Sequence, residues 1–304
     1  PQVHQNYHGG EIRLDGELSL DPREYPELRH YVGRTIITTD GTTLLGADDK
    51  AGVAEIMSAA EALQSHPEIR HGEIELFFTT DEEIGMGVDG FPMDQVHSKY
   101  CYTLDGDGEG TIETECFNAY TLEVTIRGRV FHPGYARDKL INASEIAARL
   151  ISLIPGEQTP QATDERQGYY LVTDINANMG SGHVTFNIRD FDDTQARRRI
   201  DAVREVARSL EALHPGCTIS TSAVKRYSNM RPFIEGHSQV LEHLEEAIVA
   251  AGAQPSHKVI RGGTDGSRLS EMGIPTPNVF DGGYNYHSRL EWAALPSMRK
   301  AAQT

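Results

Sequence analysis

The amino-acid sequence predicts an α/β fold, in which a mostly parallel-sheet domain is interrupted by an inserted ferredoxin-like α+β domain. In the first part of the chain, strand-like segments at residues 34–39, 73–79 and 100–104 alternate with a helical pattern at residues 50–64. Strands that alternate with helices in this way are typical of a parallel sheet. After Cys116 the pattern changes to half-buried strands separated by amphipathic helices, which indicates a second architecture.

The inserted domain is predicted from five elements in the order strand, helix, strand, helix, strand. The inserted domain has predicted strands at residues 119–127, 183–189 and 218–225 and predicted helices at residues 142–153 and 194–213. After the insertion, a helix is predicted at residues 239–251 and strands at residues 258–260 and 276–280. Asn142 is placed to cap the first of these helices, and residues 1–33 are expected to be loop-like. We therefore predict one domain from residues 1–116 and 229–304, with the inserted domain at residues 117–228.

Composition limits the classes of function. The chain has 304 residues, enough for two domains, and a formal net charge of −17, which argues against nucleic acid or an anionic membrane as a partner. No apolar run approaches the length of a membrane span, and no signal peptide is visible. The three cysteines are odd in number and lack the spacing of a metal site, so reduced thiols in a cytoplasmic protein are expected.

The pair Glu82-Glu83 belongs to an acidic run, residues 80–85, that comes just after the apolar segment 74–78. Two carboxylates at the end of a buried strand are costly to desolvate unless a cation lies beside them. A solvated turn is the ordinary alternative for such a pair. With a bound metal, one carboxylate could be a ligand while the other faces a water molecule as a general base.

Other candidate ligands follow strand-like or loop segments. Asp48-Asp49 precedes the predicted helix, where helix capping is the alternative explanation. Asp105 ends a predicted strand before a glycine-rich segment, which is also typical of a simple turn. His287 is one of thirteen histidines and carries little weight alone. Together, carboxylates and an imidazole form the ligand set of a hydrolytic zinc or manganese site.

Seven motifs occur in order along nearly the whole chain, and together they are specific. They are TLLGADDKAG (43–52), TDEEIG (80–85), YTLDG (102–106), FHPG (131–134), NIRDF (187–191), RGGTDG (261–266) and GGYNYH (282–287). In these motifs the chain closely resembles the peptidase T family. These are tripeptide aminopeptidases among the dizinc metallopeptidases, which also include carboxypeptidase G and succinyl-diaminopimelate desuccinylase.

The resemblance implies a zinc-peptidase domain that binds two zinc ions. Asp48 would bridge the ions, and its peptide bond to Asp49 would be cis. Glu83 and His287 would complete one zinc site, and Asp105 would belong to the other.

The resemblance also implies roles for residues that act on the substrate. Glu82 would be the general base that activates the metal-bridging water. His132, on the inserted lid, would stabilise the oxyanion. Arg189 and Arg261 would hold the carboxylate of a small peptide substrate, a task that suits the bidentate guanidinium group.

One departure from the family pattern affects the expected activity. The family has a His-x-Asp motif upstream of the region that residues 1–7 resemble, and neither His4 nor His8 replaces it. We therefore expect a truncated chain with one impaired zinc site and weak activity. The alternatives are a related dizinc dipeptidase or N-deacylase, or a non-catalytic binding module, with a homodimer as an open alternative for the assembly.

Overall fold

The computed structural model describes residues 1–304, which form two compact units. The first unit comprises Pro1–Thr114, Met230–Lys258 and Thr264–Thr304. The second comprises Glu115–Asn229 and Val259–Gly263. No helix combines the length and the apolar character that a membrane crossing would require.

Strands and helices alternate along the chain. The strands are β1 (Gln2–His4), β2 (Ile12–Arg13), β3 (Ser19–Leu20), β4 (Ile36–Thr38), β5 (Thr103–Gly106), β6 (Thr111–Cys116), β7 (Asn118–Arg127), β8 (Tyr169–Ala177), β9 (Ser181–Asp190), β10 (Thr218–Tyr227), β11 (Ser256–Ile260), β12 (Asn278–Phe280), β13 (Gly283–Tyr284) and β14 (Trp292–Ala294). The helices are α1 (Ala47–Ser65), α2 (Ala143–Ser152), α3 (Asp193–Leu213), α4 (Arg231–Ile234), α5 (Ser238–Ala250), α6 (Asp265–Glu271) and α7 (Leu295–Gln303).

One sheet of the first unit has the strand order β1-β4-β14-β13, and all of its pairs are antiparallel. Because β1 pairs with β4, and β2 with β3, the prediction that residues 1–33 are loop-like is wrong. Short strands of two or three residues give too little alternation to be seen in the sequence. Trp292 is fully buried in this sheet and stacks on Tyr284, with ring centroids 4.2 Å apart.

A second sheet has the order β11-β6-β12-β5 and is mixed, since β12 runs parallel to β5 and antiparallel to β6. Helix α1 approaches β5 very closely at Gly52. A Cβ atom there would lie 2.3 Å from the carbonyl oxygen of Leu104, so only glycine permits this approach. The contact brings the beginning of α1 near Asp105 in β5.

The predicted strand at residues 73–79 is not a strand in the structure. The segment forms no strand ladder, and its apolar side chains Ile74, Leu76 and Phe78 are 51%, 46% and 50% exposed. An alternating apolar pattern shows that a segment can pair, whereas a strand also needs a neighbouring strand to bond with. Glu75 instead holds the following loop, because its Oε2 accepts from the backbone N–H of Ser98 at 2.7 Å.

The second unit is a four-stranded antiparallel sheet with the order β10-β7-β9-β8, packed against α2 and α3. Its core residues include Leu122, Phe186, Ile146 and Leu150, all almost fully buried. The Asn142 side chain accepts a hydrogen bond from the N–H of Ser144 at 3.1 Å, which confirms the predicted helix cap. This unit has the α+β character that the sequence predicts for the inserted domain.

Glu55 is an unusual buried residue on α1. It is 2% exposed, and neither of its carboxyl oxygens has a hydrogen-bond partner. Burial, and then the nearby charges of Asp281 and Asp49, raise the pKa of Glu55 to about 10. Its carboxyl group is therefore protonated at neutral pH in the folded chain.

This raised pKa predicts a pH-dependent stability. The unfolded chain loses the Glu55 proton near pH 4.5, whereas the folded chain keeps it to about pH 10. Between these values the folded state holds more protons, so stability is lost as pH rises. Glu55→Gln should raise the free energy of unfolding relative to the unmodified chain, by up to about 1.4 kcal/mol for each pH unit above pH 5.

Urea unfolding between pH 5 and pH 9, with a metal chelator present, measures this difference. Glu61→Gln, at an exposed position of the same helix, is the matched control and should show no such trend. A Glu55→Gln difference that stays constant across this pH range would contradict the buried, protonated state of Glu55.

Candidate metal centre

Three side chains from distant segments meet in the first unit. One ligand atom from each of Asp48, Glu83 and His287 lies within 4.8 Å of the other two. The Nε2 atom of His287 is 2.8 Å from Oδ2 of Asp48 and 3.1 Å from Oε2 of Glu83. Two carboxylates and one imidazole are hard-to-borderline donors that suit zinc, for which three protein ligands are usual at a catalytic site.

The electrostatics of His287 support a cation at this position. Burial lowers the pKa of the imidazole, but the negative charges of Glu83 and Asp48 outweigh this effect and leave the pKa above its ordinary value. The two carboxylates thus stabilise positive charge between them. His287 also has a positive φ of 57°, a left-handed conformation that costs a non-glycine residue about 1–2 kcal/mol and that the surrounding turn must maintain.

The backbone around Asp48 has the conformation that the resemblance to the peptidase T family implies. Asp48 and Asp49 have non-helical φ and ψ values at the beginning of α1, and the peptide bond between them is cis. Asp105 lies close by, since the charge of Asp48 acts on its carboxyl group. Burial, and then the charges of Asp49 and Asp48, raise the pKa of Asp105. The structure thus brings three of the four predicted ligands to one point, with Asp105 near one of them, Asp48.

Glu82 lies beside this cluster in the 3₁₀ turn Glu82–Ile84. Burial, followed by the charges of Asp265, Glu83 and Asp48, raises the pKa of Glu82 to about 7. A carboxylate with a pKa near neutrality is suited to accept and return a proton. The arrangement therefore has the parts that metal-assisted hydrolysis requires.

Sequence reasoning missed several buried acids in this region, among them Asp265 and Glu291. Asp265 begins α6, and its Oδ2 accepts a hydrogen bond from Thr79 Oγ1 at 2.7 Å. Glu291 accepts hydrogen bonds from the backbone N–H groups of Gly46 at 2.6 Å and Asp48 at 3.1 Å. The signal for Glu291 was its position directly before the buried strand β14, where a charge needs partners.

The other predicted functional residues belong to the second unit. His132 is exposed, and its Nδ1 accepts from the N–H of Gly134 at 3.2 Å. Arg189 donates through Nη1 to the carbonyl oxygens of Tyr120 and Ile188. Their roles in binding a substrate stay predictions.

Arg261 is held by several groups of the second unit. Its Nη1 donates to the carbonyl oxygens of Glu165 at 2.7 Å and Gln167 at 3.1 Å, and its Nη2 to Oγ1 of Thr163 at 3.0 Å. The guanidinium group also lies 5.3 Å from the centre of the Phe117 ring. Arg261 thus fastens the 163–167 loop, a contact that its sequence motif did not indicate.

Comparison with known proteins identifies the class. Residues 40–304 match the model of peptidase family M20/M25/M40. This match, which covers most of the chain, shows that the chain belongs to peptidase family M20/M25/M40. The predicted α/β fold class with its inserted domain, and the predicted class of enzyme, a metallopeptidase, are confirmed.

The relatives that match the full chain are peptidases T. The chain is 44% identical over 303 residues to peptidase T of Clostridium perfringens strain SM101, covering 100% of this chain and 75% of that protein. It is 45% identical over 305 residues to peptidase T of Aeromonas hydrophila, with the same coverage of 100% and 75%. The resemblance to the peptidase T family is thereby confirmed.

Solved structures support the same relationship. The aminopeptidase PepT of Bacillus cereus is 27% identical and superposes with a TM-score of 0.75, covering 88% of this chain and 72% of that chain. A tripeptidase of Staphylococcus aureus superposes with a TM-score of 0.77 at 21% identity, covering 88% and 71% of the two chains. The second likeness shows the fold alone.

The geometry of the centre predicts the effect of removing its imidazole. Loss of a residue that only hydrogen-bonds to a metal ligand weakens metal binding about 10–100-fold. His287→Ala should weaken zinc binding by more than this, because it removes a ligand itself. Competition with a fluorescent zinc chelator measures the affinity. His243→Ala, at an exposed position on α5, is the matched control, and equal zinc affinities for the two variants would rule out His287 as a ligand.

Proposed function

We propose that this chain removes the N-terminal residue from tripeptides, using zinc held by Asp48, Glu83 and His287 and using Glu82 as general base. The observation that carries the proposal is the convergence of the three ligand atoms within 4.8 Å, beside a carboxyl group whose pKa is raised to about 7. The peptidase T relatives support the choice of a short peptide as substrate.

The donor set fits zinc. Two carboxylates and an imidazole leave a coordination position open for the reaction, as in known catalytic zinc sites. When bound, zinc would acidify a water molecule and polarise the carbonyl group of the scissile peptide bond. A second zinc ion would be held by Asp48 and Asp105, whose two carboxylates would offer a weaker site than one that includes the imidazole.

Glu82 moves the proton in this proposal. Its carboxylate accepts a proton from the attacking water as the new carbon–oxygen bond forms. The same carboxyl group then gives that proton to the nitrogen of the leaving amine as the peptide bond breaks. A pKa near 7 suits both transfers, because neither protonation state is strongly favoured at neutral pH.

His132 is the proposed donor to the oxyanion. Because Nδ1 of His132 accepts a hydrogen bond from Gly134, the proton of the neutral ring is on Nε2. This N–H can donate to the oxyanion that develops on the scissile carbonyl oxygen.

Two arginines hold the free carboxylate of the peptide. Arg189 makes two backbone contacts through Nη1, and its guanidinium group lies 5.6 Å from the centre of the Tyr227 ring. Arg261 donates to the loop 163–167, so it must exchange one of these contacts when it binds the carboxylate. A guanidinium group favours such a planar, paired contact.

The proposal predicts that Glu82→Gln separates metal binding from turnover. The amide keeps the shape of the side chain but cannot accept the proton, so kcat should fall about 10²–10⁴-fold, while zinc affinity changes only a few-fold. Release of the N-terminal residue from a tripeptide, together with zinc titration, measures both quantities. Glu61→Gln is the matched control.

Two outcomes would overturn the proposal. Turnover by Glu82→Gln at the rate of the unmodified chain would remove Glu82 from its role as base. A dipeptide or an N-acyl amino acid hydrolysed faster than the tripeptide would point instead to a dipeptidase or an N-deacylase.

A further inference from the structure

Glu291 is a buried acid whose two carboxylate oxygens are both engaged by backbone groups. The residue is 1% exposed. Its Oε2 accepts from the N–H of Gly46 at 2.6 Å, and its Oε1 accepts from the N–H of Asp48 at 3.1 Å. Burying a carboxylate is costly without such partners, and hydrogen bonds to a charged acceptor are stronger than those between neutral groups. The carboxylate is therefore held firmly between these two donors.

These two donors belong to the segment that carries a candidate ligand. The first N–H groups of a helix have no carbonyl partner within the helix, and Glu291 supplies acceptors for two of them at the beginning of α1. Gly46 has a left-handed φ of 66°, and Asp48 has a non-helical ψ of 102°. Because the carboxylate accepts hydrogen bonds from the backbone on both sides of Ala47, it fixes the orientation of the Asp48 side chain.

The backbone of Glu291 closes the turn that carries the other candidate ligand. Its N–H donates to the carbonyl oxygen of Ser288 at 3.2 Å, one residue after His287. Within the same turn, Asn285 Nδ2 donates to the carbonyl oxygen of Leu290 at 3.1 Å. These bonds hold the turn in which His287 keeps its positive φ. Glu291 thus joins two ligand-bearing segments that are 243 residues apart in the sequence.

We propose that Glu291 is a positioning residue that sets Asp48 and His287 at the separation a shared metal ion requires. Glu291 is not itself a ligand, since both of its oxygens face N–H donors. It acts through the Asp48 backbone on one side and through the His287 turn on the other. This inference rests on the proposed function, because it concerns the same metal centre.

Because both contacts need a hydrogen-bond acceptor, substitution of Glu291 by glutamine tests the positioning role directly. Glu291→Gln keeps the size and shape of the side chain but replaces one oxygen with an NH₂ group. One of the two backbone N–H groups then faces another donor, whichever way the amide is turned. Glu291→Asp keeps both oxygens but is one methylene shorter, so it cannot reach both N–H groups at the observed distances.

The test measures zinc affinity and the geometry of the bound ion. Glu291→Gln should weaken zinc binding about 10–100-fold, as the loss of an outer hydrogen-bond partner does. It should also change the visible absorption spectrum of the Co²⁺-substituted chain, which reports the arrangement of the ligands. Glu109→Gln is the control, because the Glu109 carboxylate also accepts from two donors, Ser297 Oγ at 2.6 Å and Lys300 Nζ at 2.5 Å, outside the ligand segments. This control should change thermal stability but neither zinc affinity nor the cobalt spectrum.

The outcomes separate this inference from the proposed function. If His287→Ala loses zinc while a folded Glu291→Gln keeps the zinc affinity and cobalt spectrum of the unmodified chain, only the positioning role is wrong. If His287→Ala also keeps its zinc, the metal centre itself is wrong. If Glu291→Gln fails to fold, as judged by circular dichroism, Glu291→Asp decides the matter, with weakened zinc binding supporting the inference and unchanged binding overturning it.

Discussion

The concentration of carboxylate charge around the beginning of α1 is the constraint on which the first unit depends. Asp48, Glu83 and Asp105 come from three separate segments, and Asp48 lies near each of the other two. Bringing such groups together is unfavourable unless a proton or a cation lies between them. The close approach at Gly52 and the hydrogen bonds of Glu291 hold the segments together against this repulsion, which makes the centre ready for a metal ion.

Much of this centre could be predicted from the sequence because its ligands lie in short, recognisable motifs. The pair Glu82-Glu83 follows an apolar segment, and Asp48-Asp49 is flanked by small residues. Taken singly, each motif could equally be an ordinary turn or a helix cap. Only the order of all the motifs along the chain favoured a metal site over these alternatives. The second unit was predictable for a different reason, since long strands and helices such as β7 and α3 show their periodicity clearly.

The rest could not be predicted because it depends on contacts between distant residues. In the sequence, Glu55 and Glu291 look like the many exposed acids of this chain, yet both are buried. Glu291 has backbone partners more than 240 residues away, and no local pattern contains that information. Residues 73–79 show the opposite error, because a good strand pattern exists there without a paired neighbour.

Locating the metal tests the central claim most directly. Crystals of the zinc-loaded chain, measured above and below the zinc absorption edge, give an anomalous difference map that marks the ion independently of any assumed ligand. The strongest peak should lie about 2.0–2.2 Å from Nε2 of His287 and from a carboxylate oxygen of each of Asp48 and Glu83. A strongest zinc peak elsewhere, with these three side chains left in contact only with one another, would contradict the account.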